Sequence, residues 1–228
     1  MDPSAHWYYT SKALLLRSFG NRSIRVLVDV GSGSGYFARA AARICSPREV
    51  IQVDPNYPAE SESIEEGTLH RKVKEKPKSF SQVDAVLLMD VLEHVEEPEN
   101  LLMQYVKGCE SGCEYLITVP AYQFMWSNHD MYLGHYKRYR RHEVEALVSS
   151  CGLTVLSSGY FFSIIFPLAI FQRKILSRIF RRSGEGSALR KSSPIVNRIL
   201  ELICSSEYML SKGFGPLPGL SVVVRARK

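Results

Sequence analysis

Apolar positions in the sequence fall into short continuous runs that alternate with amphipathic stretches. The apolar runs predict seven strands, at 26–30, 50–53, 68–73, 83–89, 115–119, 153–157 and 221–227. The amphipathic stretches predict helices at 34–44, 98–107 and 195–210, and one from 141 to the Cys151-Gly152 stop. A polar stretch, 59–66, carries no predicted element. This alternation indicates an α/β protein with a mostly parallel sheet and helices on both faces.

A glycine loop separates the first strand from the helix that follows it. Glycine lets the backbone approach a ligand closely, and a helix N-terminus offers free N–H groups. A dinucleotide site needs the spacing G-x-G-x-x-G, which would place glycine where Tyr36 stands. The observed G-x-G-x-G resembles motif I of the class I S-adenosylmethionine (SAM) methyltransferases. That resemblance, in which Gly35 is the last glycine of the motif, implies a Rossmann-like fold and a cofactor site at Asp29, Gly31, Ser32 and Gly33.

The second strand ends in an acid about twenty residues after the loop. The carboxylate of Asp54 can accept both hydroxyls of a ribose. The alternative is that Asp54 only starts the turn at 54–58, whose Asp-Pro-Asn-Tyr-Pro sequence favours a turn.

The fourth strand leads into Leu-Glu-His-Val at 92–95. This turn is similar to a signature of methyltransferases that include the ubiquinone-biosynthesis O-methyltransferases. The resemblance implies that Asp90 and Val91 lie near the amino acid part of SAM. It also suggests a possible divalent metal site at Asp90, Glu93 and His94, because some relatives bind a cation at these positions. The spacing i, i+3, i+4 would place the three side chains on one face of a helix. We expect no metal, and instead expect Glu93 and His94 to cap and pack the helix start.

The segment 126–141 follows the fifth strand and is rich in His, Tyr and Arg. It resembles a bacterial methyltransferase subfamily with Trp-Ser-x-His-Asp followed by Gly-His-Tyr-x-Arg-Tyr. In that fold the segment borders the methyl-acceptor pocket, which makes His129 and His135 the candidate catalytic bases. The candidate acceptor contacts are Tyr9, Trp126, Asp130, Tyr136 and Arg138. Two alternatives to these roles remain. The arginines of the segment could form a solvated basic face, and its histidines could make structural hydrogen bonds within the loop.

The N-terminal segment 1–20 is similar to the aromatic helix that covers the SAM site in this subfamily. The family pattern often has an arginine shortly after the aromatic residues, whereas Thr10 and Ser11 stand here. A charge contact from this segment to SAM is therefore not indicated. The alternative is an ordinary amphipathic helix that packs on the sheet.

The unusual part of the chain is an insertion at 160–213. Its first twelve residues, 160–171, are apolar and uncharged, which is shorter than the roughly twenty residues that span a bilayer. Residues 173–182 then combine five basic with four apolar side chains, the pattern of an interfacial anchor, and 183–194 is a flexible Ser/Gly-rich segment. Within 161–213, nine Lys and Arg stand against three Glu, which equals the net charge of +6 of the whole chain. The alternatives are a lid that packs on the core and a dimer interface.

Composition limits which classes of protein and which compartments are consistent with the sequence. A chain of 228 residues with 45% hydrophobic residues can form one domain, 1–228, with a full core. Five cysteines without paired spacing indicate neither a disulfide framework nor a zinc site, and favour a reducing compartment. The only apolar run near the start, 13–16, is too short for a signal peptide. Apolar residues outweigh any base-stacking pattern, so no nucleic acid partner is expected.

These patterns together predict a SAM-dependent methyltransferase, with O-methylation of an apolar, lipid-linked or isoprenoid acceptor. The protein is expected to be cytoplasmic, a monomer or homodimer, and peripheral on an anionic membrane surface at the inner face. One alternative is methylation of a soluble small metabolite, with 160–182 as a buried lid. A dinucleotide-dependent oxidoreductase and a non-catalytic membrane-binding protein on the same fold are two further alternatives. Tyr36 argues against the first of these and the intact Gly31, Gly33, Asp54 and Asp90 against the second.

Overall fold

A computed structural model describes residues 6–20, 22–77, 82–172, 193–211 and 213–228. The strands are β1 (Val26–Val30), β2 (Glu49–Val53), β3 (Ser61–Glu65), β4 (Thr68–Val73), β5 (Ala85–Met89), β6 (Glu114–Pro120), β7 (Thr154–Phe161) and β8 (Ser221–Arg227). The α-helices are α1 (Trp7–Ala13), α2 (Tyr36–Cys45), α3 (Pro98–Gly108), α4 (Asn128–Tyr132), α5 (Arg141–Ser150), α6 (Phe166–Phe171) and α7 (Pro194–Ser211). Single 3₁₀ segments lie at Leu14–Phe19, Leu92–His94 and Gln123–Met125.

The eight strands form one sheet in the order β3-β4-β2-β1-β5-β6-β8-β7. Strands β4, β2, β1, β5 and β6 are parallel neighbours, while β3 and β8 run antiparallel to the strands beside them. This confirms the α/β fold with a mostly parallel sheet. The chain passes from β1 to β2 on one side and later to β5 on the other, so β1 and β5 flank the topological switch point.

Apolar side chains cover both faces of the sheet. On one face the core includes Val28, Val86 and Ile117 together with side chains of α3 and α5. On the other face it includes Leu27 and Leu87 with side chains of the N-terminal segment, α2 and α7. The helices thus hold the central strands on both sides, and the carboxyl ends of β1, β2 and β5 meet at one edge.

Two elements differ from the sequence-based expectation. The polar stretch at 59–66 contains β3, an edge strand whose five residues are all exposed, so its sequence lacks the apolar alternation of a half-buried strand. The sixth predicted strand, 153–157, extends to residue 161 as β7, so the insertion begins inside a strand. The sheet therefore has eight strands, one more than predicted.

The apolar run at 160–171 divides between core and surface. Phe161, Phe162, Ile165 and Phe166 are buried, whereas Ile164, Leu168 and Phe171 are each more than half exposed. The basic helix expected at 173–182, and nearly all of the Ser/Gly-rich segment at 183–194, lie outside the described residues. Among the helices described, none combines the length and apolar character needed to cross a bilayer.

Candidate functional site

A cavity of about 860 Å³ opens at the carboxyl edge of the sheet. Its volume lies within the range of small-molecule sites, roughly 300–1,000 Å³. The wall combines the glycine loop, the ends of β2 and β5 and one side of α3. The lining residues include Gly31, Asp54, Asn56, Lys74, Glu75, Asp90, Val91, His94, Gln104 and Tyr105. The cavity thus brings together four of the seven predicted cofactor residues: Gly31, Asp54, Asp90 and Val91.

The glycine loop needs its glycines for two physical reasons. Gly31 has φ +62°, in the left-handed region, and a Cβ there would stand 2.9 Å from Cγ2 of Val91. Gly33 has φ +51°, and its N–H donates to Asp54 Oδ2 at 2.8 Å. The backbone can therefore approach a ligand at Gly31 without a side chain in the way.

Asp54 lies at the end of β2 and holds two backbone groups. Its Oδ1 accepts the N–H of Asn56 at 2.9 Å, while its Oδ2 accepts the N–H of Gly33. Both sequence-based interpretations therefore describe it in part, because the carboxylate starts a turn and also lines the cavity. A carboxylate has about four acceptor positions, so two remain for the hydroxyls of a ligand.

Asp29 and Ser32 lie beneath the glycine loop and are buried. The hydroxyl of Ser32 donates to Asp29 Oδ2 at 2.7 Å. Burial raises the pKa of Asp29 to about 7, against hydrogen bonds from Ser32 and the backbone of Ala38 that lower it. These two residues support the loop from below and stand outside the cavity lining.

Asp90 ends β5 with φ +59°, and its side chain is held by three partners. Tyr8 O–H donates to Asp90 Oδ2 at 2.7 Å and Thr118 O–H donates to Oδ1 at 3.1 Å. The third partner is the ammonium of Lys12, a fully buried residue that sequence reasoning missed. The available signal was the spacing Tyr8-x-x-x-Lys12, which places both side chains on one face of a helix.

Asp130 organises the segment that follows β6. Its carboxylate accepts Ser127 N–H at 2.8 Å and Ser127 O–H at 2.9 Å. The first of these bonds and the Asp130 N–H that the Ser127 side chain accepts form a capping box at the start of α4. It also pairs with His135 Nδ1 at 3.0 Å and Arg138 Nε at 2.7 Å. Burial alone would raise the pKa of Asp130, but these partners hold it well below its usual range. The loop is therefore rigidly tied to one buried charge.

The ring of His135, which Asp130 holds at Nδ1, meets the ring of His94 edge to face with centroids 4.5 Å apart. His94 lines the cavity, so the rings connect the cavity to the Asp130 carboxylate. Burial lowers the pKa of His94, and His135 lowers it further, which favours the neutral imidazole. A neutral imidazole can accept a proton.

The metal alternative does not find its predicted ligand set. Asp90 is engaged by Lys12, whereas Glu93, His94 and His135, in the part of the chain described, form a group of three whose ligand atoms all lie within 4.8 Å of one another. Glu93 is buried with an unpaired Oε2, and burial followed by the charge of Asp90 raises its pKa well above the usual range. The group therefore contains two of the three predicted ligands, Glu93 and His94, and has His135 in place of Asp90.

The remaining predicted catalytic and acceptor residues are Tyr9, Trp126, His129 and Tyr136. His129 lies in α4 and, like Trp126, is half-buried. Tyr136 is exposed, and its N–H donates to the carbonyl of Glu93 at 2.7 Å. Tyr9 packs against Tyr36, with ring centroids 5.6 Å apart. These four, with Asp130, His135 and Arg138, lie outside the cavity lining, and Arg138 is already paired with Asp130.

Comparison with known proteins agrees with this architecture. A family model described as a methyltransferase domain matches residues 5–158. An uncharacterized methyltransferase of Mycobacterium sp. (strain JLS) is 27% identical over 114 residues, which are 49% of this chain; the match spans 45% of that relative, less than half its length.

Solved structures with low identity share the fold. A SAM dependent methyltransferase from Archaeoglobus fulgidus superposes with a TM-score of 0.54 at 18% identity, over 95% of this chain and 92% of that one. Phosphoethanolamine N-methyltransferase 2 of Haemonchus contortus, solved with SAM, gives 0.55 at 15% identity, over 95% of this chain and 52% of that one.

Proposed function

The chain belongs to the methyltransferase domain family, and from that premise we propose that it transfers a methyl group from SAM to an oxygen of an acceptor at a membrane surface. The observation that carries the cofactor assignment is that Gly31, Asp54 and Asp90 line one cavity. The Leu-Glu-His-Val turn at 92–95 supports a relation to the ubiquinone-biosynthesis subgroup.

The residues of the cavity fit SAM in chemistry. Gly31 allows the close backbone approach, and Asp54 retains acceptor positions for the ribose hydroxyls. Asp90, whose orientation Lys12 and Tyr8 fix, would lie beside the amino acid part of SAM at the cavity wall. Asp29 and Ser32 support the loop, and Val91 forms an apolar wall.

When bound, SAM supplies a methyl group activated by a positively charged sulfur. The methyl–sulfur bond breaks as the methyl–oxygen bond forms, and the acceptor's hydroxyl proton must leave. His135 is the proposed base, because Asp130 fixes its Nδ1 and can stabilise the resulting imidazolium. His94 extends this path to the cavity, and His129 on the same segment is the second candidate base.

The acceptor contacts are proposed around these rings. Tyr9, Trp126 and Tyr136 supply aromatic surface, and Asp130 with Arg138 holds the segment in shape. Alignment of the acceptor oxygen with the methyl group at near-attack distance would supply most of the rate enhancement.

The proposed membrane location rests on two features: apolar side chains that are exposed, and a segment rich in Lys and Arg that follows them in the sequence. Ile164, Leu168 and Phe171 expose more than half of their surface, and residues 173–182 carry five Lys and Arg. An anionic bilayer would accommodate both, which makes an apolar, lipid-linked or isoprenoid acceptor the favoured class. The alternative is a soluble metabolite with 160–182 as a lid, and the buried half of the 160–171 run supports it.

Two measurements test this function. Profiling the lipids and metabolites of a deletion strain should reveal a compound that lacks the mass of one CH₂ group. Replacement of Arg173, Lys174, Arg178, Arg181 and Arg182 by Gln should release the protein from anionic vesicles without a change in SAM affinity. A purely soluble compound in the first experiment and no vesicle binding in the second would favour the metabolite alternative.

A further inference from the structure

Helix α7 presents apolar residues to the outside. Five of them recur at helical spacing and are each at least 50% exposed: Ile195, Ile199, Leu202, Met209 and Leu210. Spacings of four, three and seven residues place the first four on one stripe along the helix, and Leu210 widens the stripe beside Met209. In a helix that only covers a protein core, such a stripe faces inward.

The inward face of α7 packs Leu200, Ile203 and Cys204 on the core and also carries polar residues that are fixed by hydrogen bonds. Asn197 Oδ1 accepts the N–H of Trp7 at 2.7 Å, and Glu201 Oε1 accepts the hydroxyl of Thr10 at 3.0 Å. Glu207, which is buried, accepts the N–H groups of Ser163 and Ile164 at 2.8 and 3.1 Å. Turning the apolar stripe inward would break these bonds and leave buried polar groups unpaired, so the outward orientation of the stripe belongs to the fold.

We propose that this outward stripe of α7 docks on the surface of an anionic lipid bilayer. The stripe is Ile195, Ile199, Leu202, Met209 and Leu210. The charge of the chain before α7 selects this occupant, because residues 173–191 contain seven Lys and Arg against one Glu. Apolar side chains in the interface with basic residues at headgroup level are the pattern of an interfacial helix.

This proposal rests on the proposed membrane location and adds the surface that makes the contact. It also narrows the acceptor. Helix α7 is bonded to α1, and α1 carries Tyr8 and Lys12, which hold Asp90 at the cavity. The docking surface is therefore one helix away from the cofactor cavity. An acceptor whose hydroxyl lies at headgroup depth is the class that this arrangement serves.

The test compares Leu202→Glu/Met209→Glu with Ile64→Glu in sedimentation with vesicles of phosphatidylcholine and phosphatidylglycerol. Ile64 and Met209 are both 77% exposed, but Ile64 lies on β3 at the far edge of the sheet. The α7 variant should bind vesicles roughly tenfold or more weakly, from the transfer of two apolar side chains, and Ile64→Glu should bind like the wild type. Leu202→Gln/Met209→Gln should show the same loss without added charge, and unchanged SAM affinity checks the fold of each variant.

The outcomes separate this inference from the proposed function. If the α7 variants bind vesicles like the wild type while the Gln substitution at 173–182 abolishes binding, docking through α7 is overturned and the membrane location stands. If the wild type binds no vesicles, both are overturned, while SAM titration still reports on the methyltransferase. If light scattering shows a wild-type dimer that the α7 variants lose, without vesicle binding, the stripe is covered by a second copy of the chain.

Discussion

The ammonium of Lys12 is ion-paired with the carboxylate of Asp90, 78 residues further along the chain. Lys12 is fully buried, and lysine is almost never buried in this way unless it is paired. Tyr8 and Thr118 add hydroxyl hydrogen bonds to the same carboxylate. The pair thus ties the N-terminal helix to the strand end at the centre of the candidate site.

Lys12→Met should destabilise the protein by about 3–5 kcal/mol, because it leaves the Asp90 carboxylate without its cation. The measurement is the free energy of unfolding from urea denaturation. Arg43→Met is the matched control, since Arg43 and Glu66 form a salt bridge that is largely exposed and should contribute little. Wild-type stability in Lys12→Met would contradict a structural role for the pair.

His135→Ala should lower the rate of methyl transfer by about 10²–10⁴ while SAM affinity stays near the wild-type value. The reason is that His135 is oriented by Asp130 and does not line the cofactor cavity. His142→Ala, on the exposed surface of α5, is the control and should retain full turnover. If His129→Ala loses turnover and His135→Ala does not, the base is His129.

Chelation with EDTA should leave activity unchanged. The reason is that Asp90, one of the three ligands predicted at the 90–94 turn, is already paired with Lys12. The assay compares EDTA-treated enzyme before and after addition of Mg²⁺. Loss of activity that Mg²⁺ restores would show that Glu93, His94 and His135 hold a metal after all.

The stability contribution of Asp29 should fall as pH rises. Folding raises its pKa from 3.8 to about 7, so the folded state binds the proton more tightly than the unfolded state. This contribution is fully present below about pH 4 and is lost by about pH 7. Asp29→Asn should therefore show a smaller drop in urea midpoint between pH 5 and pH 8 than the wild type. Glu110→Gln, an exposed control, should retain the wild-type drop, and an unchanged drop in Asp29→Asn would refute the assignment.

The sequence predicts the central architecture well because its signals are local. The strand at 26–30, the glycine loop and the acid at Asp54 are read from spacing alone, and the structure brings them to one edge. Edge strand β3 could not be predicted in this way, because exposure on both faces leaves no apolar period. The partner of Lys12 is also beyond local reasoning, since it lies on a distant strand.

Helix α7 shows a different limit. Its period predicts a helix at 195–210, and the structure confirms one at Pro194–Ser211. Period alone would turn the apolar stripe inward. Leu200, Ile203 and Cys204 set part of the orientation by packing on the core. Asn197, Glu201 and Glu207 set the rest by accepting hydrogen bonds from backbone N–H and hydroxyl groups far away in the sequence, which no periodicity encodes.

The most direct test of the central claim is calorimetric titration of SAM into the wild-type protein and Asp54→Ala. We expect the wild type to bind one SAM and the variant to bind it more weakly by about 1.5–3 kcal/mol, the range for hydrogen bonds to a charged group. Glu110→Ala serves as the exposed control, and NADH should not bind either protein. A wild type that fails to bind SAM, or an Asp54→Ala variant with unchanged affinity, would contradict the assignment of this cavity.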